Sequence, residues 1–298
     1  MKRYAVRHET RYTYQFSVDI GMHVARLSPV NTSLQRRLEH TIDVTPTPVW
    51  AVAFSDHFGN GLHHFAIETP HTEFAVVQKT VVEISASAWT PASPAPAWET
   101  VRDAMHADAF PEYPEPAEFI CASPLVQLDP AAAAYAAESF APGATIIAAA
   151  FDLTCRIKRD FAYAPGSTTI DTPVSEIMAK RHGVCQDFTH AMLSGLRGLG
   201  LPARYVSGYL KTHGAPHAGA SHDDRLIGAD ASHAWVSVWC GPEMGWVEFD
   251  PTNALMVAEE HIAVAYGRDF TDVTPLRGII TGGGEHTLAV AVRVEALN

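Results

Sequence analysis

The stretch GVCQDFTHAMLSGLRGLG, residues 183–200, decides the fold because it predicts one largely buried helix that begins at a cysteine. Its apolar side chains recur at the spacing of a single helical stripe, which is typical of a helix with one face in a core. The stripe consists of Phe188, Met192, Leu193, Leu196 and Leu199. Gly198, Gly200 and Pro202 end the helix, so Cys185 is predicted at or just before its first turn.

A cysteine in that position can act as a nucleophile. The first turn of a helix presents unpaired N–H groups and the positive end of the helix dipole, and both favour a thiolate. The same N–H groups can bind an oxyanion that forms on an attacked carbonyl. The alternative is inert packing, because the chain has four dispersed cysteines and a reduced, buried side chain is ordinary for each. They are Cys121, Cys155, Cys185 and Cys240.

A histidine follows at the start of a predicted strand. Three strand patterns come after the helix: ARYVSGYL (203–210), SHAWVSVWC (232–240) and GWVEFD (245–250). Alternation puts His233, Trp235 and Ser237 on one face of the second strand. A histidine at the start of a strand can reach a thiol on a helix that packs against the sheet. The chain has sixteen histidines, so a structural role is the alternative for any one of them.

An aspartate, Asp250, ends the third strand pattern. Only a tight turn over 241–245 separates the second and third patterns, which predicts an antiparallel hairpin whose paired residue numbers sum to about 486. His233 would then lie nearly opposite Asn253, with Asp250 close by. A carboxylate there can accept the imidazole N–H and stabilise the imidazolium. The alternative for Asp250 is a turn residue before Pro251.

The rest of the chain predicts a β-rich part followed by helices. Strand patterns fill RYAVRHETRYTYQF (3–16), LEHTIDVTP (38–46), DHFGNGLHHFAIE (56–68, with an Asn-Gly turn signal) and EFAVVQKTVVEISA (73–86). The proline-rich TPASPAPAW (90–98) then marks a boundary. Helical spacing follows in 131–140, 146–161 and 174–181. We predict an α+β fold with an N-terminal antiparallel β domain, residues 1–92, and a second unit, residues 93–298.

The composition argues against several classes of partner. With 21 Lys and Arg against 33 Asp and Glu, the formal net charge is −12, which disfavours nucleic acid and anionic membrane surfaces as partners. The chain has no apolar run of membrane-spanning length. Its N-terminal residues MKRYAVRHE are too charged for a secretory signal. We expect a cytoplasmic protein that binds neither nucleic acid nor membrane.

Three segments, GVCQDFTH, ASHAWVSVW and WVEFDPTN, resemble the transglutaminase-like superfamily, in particular its bacterial branch of cysteine-protease relatives. RLSP and DHFGNGLHHF resemble the N-terminal β region of that branch, and GRDFTDVTPLRG (267–278) resembles its C-terminal stretch. The resemblance therefore covers nearly the whole chain. It implies a papain-like core in which a helix that carries Cys185 packs on an antiparallel sheet that carries His233 and Asp250. Their implied roles are nucleophile, base and orienting acid.

The chain departs from the family at the oxyanion site. Papain-type proteases have a glutamine six residues before the nucleophile, where this chain has Ala179. Tyr163 is our candidate for the second oxyanion donor, beside the backbone N–H of Cys185. Gln186 and Asp187 match the bacterial motif, although Asp187 on the first helical turn can simply complement the helix dipole.

Trp235 is a candidate for lining the substrate cleft, with packing in the sheet as the alternative. The loops that bind calcium in animal transglutaminases are not apparent. The histidine-rich segment 213–224 has spacings that match no zinc motif, so a solvated loop is favoured. We therefore expect no metal and no cofactor.

The predicted chemistry is thioester formation on a peptide or glutamine-type amide. Water as the second nucleophile gives a protease or amidase, and an amine acceptor gives a protein-glutamine transglutaminase. We favour hydrolysis, because the sequence reveals no dedicated amine site. The competing class is a non-enzymatic peptide-binding module on the same fold.

Overall fold

The first five strands form an antiparallel sheet around one very long strand. The protein is described by a computed structural model, which covers residues 1–107, 115–211, 227 and 232–297. The strands are β1 (Lys2–Ser28), β2 (Gln35–Thr45), β3 (Trp50–Ser55), β4 (Gly61–Ile67) and β5 (His71–Ile84). β1 pairs with β5 through Thr13 and with β4 from Gly21 onward. The register of the β1–β5 pairing shifts between Thr13 and Val18, before the part of β1 that pairs with β4.

The predicted Asn-Gly turn lies close to the observed one. Gly59, with φ of 80°, provides the left-handed residue between β3 and β4. Asn60 is fully buried, and its side-chain amide donates to the carbonyl oxygen of Tyr266 at 2.7 Å and accepts from the N–H of Tyr266 at 2.8 Å. Asn60 therefore ties the N-terminal sheet to a strand near the end of the chain.

Helices begin after residue 92, as the change in periodicity predicts. They are α1 (Trp98–His106), a 3-10 helix (Glu115–Ile120), α2 (Pro130–Ala137), α3 (Ile146–Asp160), α4 (Val174–Lys180), α5 (Cys185–Gly198) and α6 (Phe270–Val273). The start of α2 is set locally, because the Asp129 carboxylate accepts from the N–H groups of Ala131 and Ala132. Thr145 caps α3 in the same way. α2 ends at Ala137, three residues before the predicted Phe140.

A second antiparallel sheet covers one side of α5. Besides the short parallel pair β6 (Ala162–Tyr163) and β7 (His182–Gly183), the strands are β8 (Ala203–Leu210), β9 (His233–Trp239), β10 (Trp246–Asp250), β11 (Leu255–Met256) and β12 (His261–Gly267). Their order in the sheet is β11-β10-β9-β8-β12. The side chains of Phe188, Met192 and Leu196 pack against Tyr205 and Val236 in the main core. The prediction of an α+β fold with a helix on an antiparallel sheet is confirmed.

The last two strands, β13 (Leu276–Gly282) and β14 (His286–Leu297), return to the first sheet and pair with β1. The division into residues 1–92 and 93–298 stays a prediction, although this pairing places the end of the second range in the N-terminal sheet. The two sheets also share a core in which Tyr4 and Val294 meet Tyr209 and Ile262. Within the described ranges, none of the helices combines the length and apolar character that a membrane crossing requires.

Candidate active site

Cys185 is the first residue of α5, and a neighbouring carboxylate fixes this helix start. Asp187 is almost fully buried, and its carboxylate accepts from the Val184 N–H and the Thr168 hydroxyl, both at 2.7 Å. Burial raises the pKa of Asp187, and these two hydrogen bonds oppose the rise. Because both contacts are structural, Asp187 orients the helix start instead of facing a substrate. The N–H groups of the first turn, including that of Cys185, have no intrahelical acceptor.

His233 is the first residue of β9, and its ring lies between a carboxylate and the thiol of Cys185. Nε2 is 2.9 Å from Oδ2 of Asp250, which requires the proton on Nε2 and leaves Nδ1 on the other side of the ring. Burial lowers the pKa of His233, but the Asp250 carboxylate and then the Cys185 thiol outweigh burial and raise it to about 10. The ring is therefore protonated at neutral pH.

His233 is the first residue of β9, the central strand of its sheet. Side chains alternate along β9: Ala234 and Val236 pack in the core that contains α5, whereas Trp235 lies on the opposite face. His233 has the same parity as Trp235, yet it interacts with Cys185. The contact with Cys185 is therefore made from the first residue of the strand.

Asp250 ends β10 in the predicted hairpin. Trp246 pairs with Trp239, and Phe249 pairs with Val236, so paired residue numbers sum to 485 and the predicted register is off by one. The carboxylate of Asp250 is fully buried. The hairpin brings it to His233 as the sequence predicts.

Five donors surround the Asp250 carboxylate. Oδ2 accepts from His233, from Nε2 of His261 at 3.1 Å and from Nδ2 of Asn253 at 2.7 Å. Oδ1 accepts from the backbone N–H groups of Thr252 and Asn253. Burial raises the pKa of Asp250, but His233 and then His261 hold it well below its usual range. Asp250 therefore stays ionised throughout the physiological range.

Sequence reasoning missed His261 and the role of Asn253. Asn253 lies in the DPTN segment three residues after Asp250, so turn chemistry could have identified it as a local partner. His261 is the first residue of β12, which is separated from β9 by β8. No local pattern signals a contact across an intervening strand.

Tyr163 interacts with the Cys185 thiol, and Gln186 follows Cys185 in the chain. Burial and then the Cys185 thiol raise the pKa of Tyr163 to about 12, so its hydroxyl keeps its proton. Its ring packs edge-on against Phe188. The Gln186 amide donates to the carbonyl oxygen of Ile170 at 3.0 Å, which ties its side chain to the loop before α4.

The prediction that Trp235 contacts substrate is wrong. Its side chain is fully buried on the face of the sheet opposite α5. Nε1 donates to the carboxylate of Glu248 at 2.7 Å, and the ring packs edge-on against His261 at 5.2 Å between centroids. Trp235 therefore supports the sheet behind the candidate site.

Residues 213–224, the histidine-rich segment, lie outside the described residues. Among the residues that are described, no group of three or more His, Cys, Asp or Glu side chains is arranged to hold a metal ion.

A cavity of about 380 Å3 lies between the two sheets, bordered by Leu34 and Trp89 on one side and by Trp246 and His261 on the other. The second sheet lines it with residues such as Glu248 and Tyr266, and Cys185 does not border it.

Comparison with known families matches two parts of the chain. Residues 4–83 match the family described as the bacterial transglutaminase-like N-terminal region. Residues 133–251 match the transglutaminase-like superfamily. The second match includes Cys185, His233 and Asp250.

Individual relatives agree with the family matches. An uncharacterised protein of Mycobacterium bovis is 36% identical over 292 residues, which are 96% of this chain and 90% of that protein. A protein-glutamine gamma-glutamyltransferase of Pseudomonas aeruginosa is 36% identical over 104 residues, or 34% of this chain and 14% of that enzyme.

The fold is also found among solved structures. A protein of Cytophaga hutchinsonii described as a candidate cysteine protease superposes with a TM-score of 0.76 at 19% identity, over 100% of this chain and 91% of that one. That likeness concerns the fold alone. The two matched regions and the relatives lead to one conclusion: the chain belongs to the transglutaminase-like superfamily.

Proposed function

We propose that this protein is a cysteine-nucleophile acyl-transfer enzyme that acts on peptide or glutamine-type amide carbonyls through a thioester. The observation that carries the proposal is the alignment of Cys185, His233 and Asp250 at the start of α5. One buried ring there contacts a carboxylate with Nε2 and interacts with a thiol beyond it. This order of nucleophile, base and orienting acid suits acyl transfer.

In the proposed first half-reaction, Nδ1 of His233 holds the proton of the Cys185 thiol, and the thiolate attacks the amide carbonyl. A C–S bond forms as the carbonyl π electrons move to oxygen. The C–N bond then breaks, and the His233 imidazolium gives its Nδ1 proton to the departing amine. A thioester on Cys185 remains, with His233 neutral and Asp250 still ionised.

The oxyanion needs donors on the thiol side of the site. The backbone N–H of Cys185 is the proposed first donor, because it belongs to the unpaired first turn of α5. The Tyr163 hydroxyl is the proposed second donor. Its raised pKa keeps the hydroxyl protonated, and its electrostatic interaction with Cys185 supports this assignment.

Hydrolysis is the favoured second half-reaction. Cys185 is partly exposed, so water has access to a thioester on its sulfur. His233 takes a proton from that water, hydroxide adds to the thioester carbonyl, and the C–S bond breaks to release a carboxylic acid. The substrate is then a peptide or protein, and the activity is that of a protease or amidase.

Protein-glutamine transglutaminase activity is the second candidate. The observation in its favour is the similarity to the gamma-glutamyltransferase of Pseudomonas aeruginosa. In that case a primary amine replaces water as acceptor. A third class, a peptide-binding module without activity, would use the same cleft but would not need a reactive thiol.

Incubation with a peptide library, with and without a biotinylated primary amine, separates these functions. For hydrolysis we expect cleaved or deamidated peptides that require Cys185 and do not depend on the amine. Amine adducts as the main products would identify a transglutaminase. Cys185→Ser is the matched control, since it keeps the size of the side chain. Binding of peptides without any product that depends on Cys185 would overturn the enzyme proposal.

A further inference from the structure

One oxygen atom of the Asp250 carboxylate accepts hydrogen bonds from two histidines. Oδ2 lies 2.9 Å from Nε2 of His233 and 3.1 Å from Nε2 of His261, and all three side chains are buried. The chemistry proposed above requires only the first of these contacts. The second histidine therefore needs a separate explanation.

The fold makes this second contact possible at a specific place. β8 lies between the strands of the two histidines and pairs with both: Gly208 lies opposite His233 on one side and Ala263 on the other. A side chain at Gly208 would overlap the ring of Trp235 and the carbonyl oxygen of Ile262. The glycine therefore leaves room for the Trp235 ring, which packs edge-on against His261.

The tautomer of His261 follows from its partner. Because the Asp250 carboxylate can only accept, Nε2 of His261 must carry a proton. Nδ1 is buried and has no hydrogen-bond partner among the described residues. The hydrogen bond to Asp250 and the edge-on contact with Trp235 thus hold the ring.

The N–H of His261, which joins those of His233 and Asn253 on Oδ2, changes how the carboxylate acts on His233. The donor fixes the orientation of the carboxylate and draws negative charge from the oxygen atom that His233 also uses. Asp250 therefore holds the His233 imidazolium less strongly than it would alone. An imidazolium held less strongly is a better proton donor to a departing amine.

We propose that His261 is a positioning residue, which fixes and shares Oδ2 of Asp250 and thereby limits how tightly Asp250 holds the proton on His233. Its consequence for turnover rests on the function proposed above. The contact itself and its effect on His233 do not.

Other charged groups near this network are accounted for. On α5 the thiol of Cys185 faces His233. On β10 the Glu248 carboxylate accepts from Trp235 and from the Tyr266 hydroxyl at 2.9 Å. Glu260, next to His261 in the chain, pairs with Lys211 at 3.0 Å. Removal of His261 thus takes one donor from Oδ2 while these pairs and the Asn253 contact with Oδ2 remain.

Titration of His233 by NMR in histidine-labelled protein tests the proposal. The Cys185→Ala background removes the influence of the thiol, and comparison with a His233→Gln sample assigns the signal. In His261→Leu, which has no donor, we expect the midpoint of His233 to rise by about one pH unit. In His261→Gln, whose amide can still donate near the Nε2 position, it should stay within a few tenths of a unit of the parent.

A buried histidine outside the site serves as the matched control. His8 bonds Thr10 and Tyr209 between the two sheets, so His8→Gln should leave the midpoint of His233 unchanged. An unchanged or lowered midpoint in His261→Leu, or equal shifts in the Leu and Gln variants, would overturn the proposal. Should His261→Leu fail to fold, His261→Asn, whose amide is too short to reach Oδ2, replaces it.

The result of this titration does not depend on whether the proposed function is correct. A protein without acyl-transfer activity would show Cys185 reacting with iodoacetamide like an ordinary thiol, whatever the midpoint of His233. A reactive Cys185 together with a midpoint that is insensitive to His261 would contradict only the role of His261.

Discussion

At the scale of single residues, the environment of Cys185 distinguishes it from the other cysteines. It has a protonated histidine and the unpaired N–H groups of a helix start beside it, whereas Cys121 is exposed and Cys240 is buried. Burial raises the pKa of the Cys240 thiol well above its usual range. One chain therefore offers a candidate nucleophile, an exposed reference thiol and an inert thiol.

Alkylation by iodoacetamide should follow this ranking. At neutral pH we expect Cys185 to react at least about tenfold faster than Cys121, because the His233 imidazolium favours a thiolate. His233→Gln should remove the difference, and Cys240 should stay unlabelled in both proteins. Site-resolved mass spectrometry measures the three rates. Equal rates at Cys185 and Cys121 that do not respond to His233→Gln would contradict the assignment of the nucleophile.

Asp250→Asn should reduce turnover of any identified substrate by about 10²–10⁴-fold, because the His233 imidazolium loses its counter-charge and its fixed tautomer. The pKa of His233 should fall, since the carboxylate is the largest contribution that raises it. The measurement is the pH dependence of kcat/KM. Asp19→Asn, at an exposed position of β1, is the control. Full activity of Asp250→Asn would exclude Asp250 from the site.

At the scale of helices and strands, local chemistry determines how much the sequence reveals. The start of α2 at Asp129 and Pro130 and the start of α5 at Cys185 were predictable, because caps and apolar stripes are local signals. The partners of β14 and of His261 were not, because they depend on strands far away in sequence. The exposure of Trp235 was misjudged for a related reason: alternation gives its face but not what covers that face.

Gly208→Ala tests the packing of β8 against its neighbours. The added methyl group would overlap the Trp235 ring and the Ile262 carbonyl oxygen, and we expect a loss of about 2 kcal/mol in the free energy of unfolding. Urea titration measures this change. Ser207→Ala, one residue away on the same strand, is the control and should have a smaller effect. Unchanged stability of Gly208→Ala would show that β8 can move enough to accommodate the methyl group, which would contradict close packing at this position.

At the scale of the whole molecule, buried histidines act in opposite directions on stability. Burial lowers the pKa of His8 and of His190 to about 4, so these rings are neutral when folded. The pKa of His233 is instead raised to about 10. An unperturbed histidine has a pKa of about 6.5.

Stability should therefore be greatest near pH 6.5. Between pH 6.5 and 4 the unfolded chain binds more protons at His8 and His190, which removes up to about 3 kcal/mol of stability for each. From pH 6.5 to 10 the folded protein loses the stabilising proton on His233. Free energies of unfolding in urea at pH 4.5, 6.5 and 9 measure this curve. His8→Gln should reduce the loss of stability at acid pH, and His233→Gln should reduce the loss at alkaline pH. A free energy of unfolding that does not change with pH in the parent protein would contradict these shifted histidine pKa values.

The burial of α5 has a consequence for changing this protein by mutagenesis. Every residue from Asp187 to Arg197 is buried, whereas every residue of β3 is exposed. A random library would therefore lose most variants in the helix that carries Cys185 and keep most variants in β3. Substrate range is better altered through the loop that contacts Gln186 around Ile170, where side chains are exposed. Cys185, the proposed nucleophile, can then stay on its buried helix while the exposed residues around it are varied.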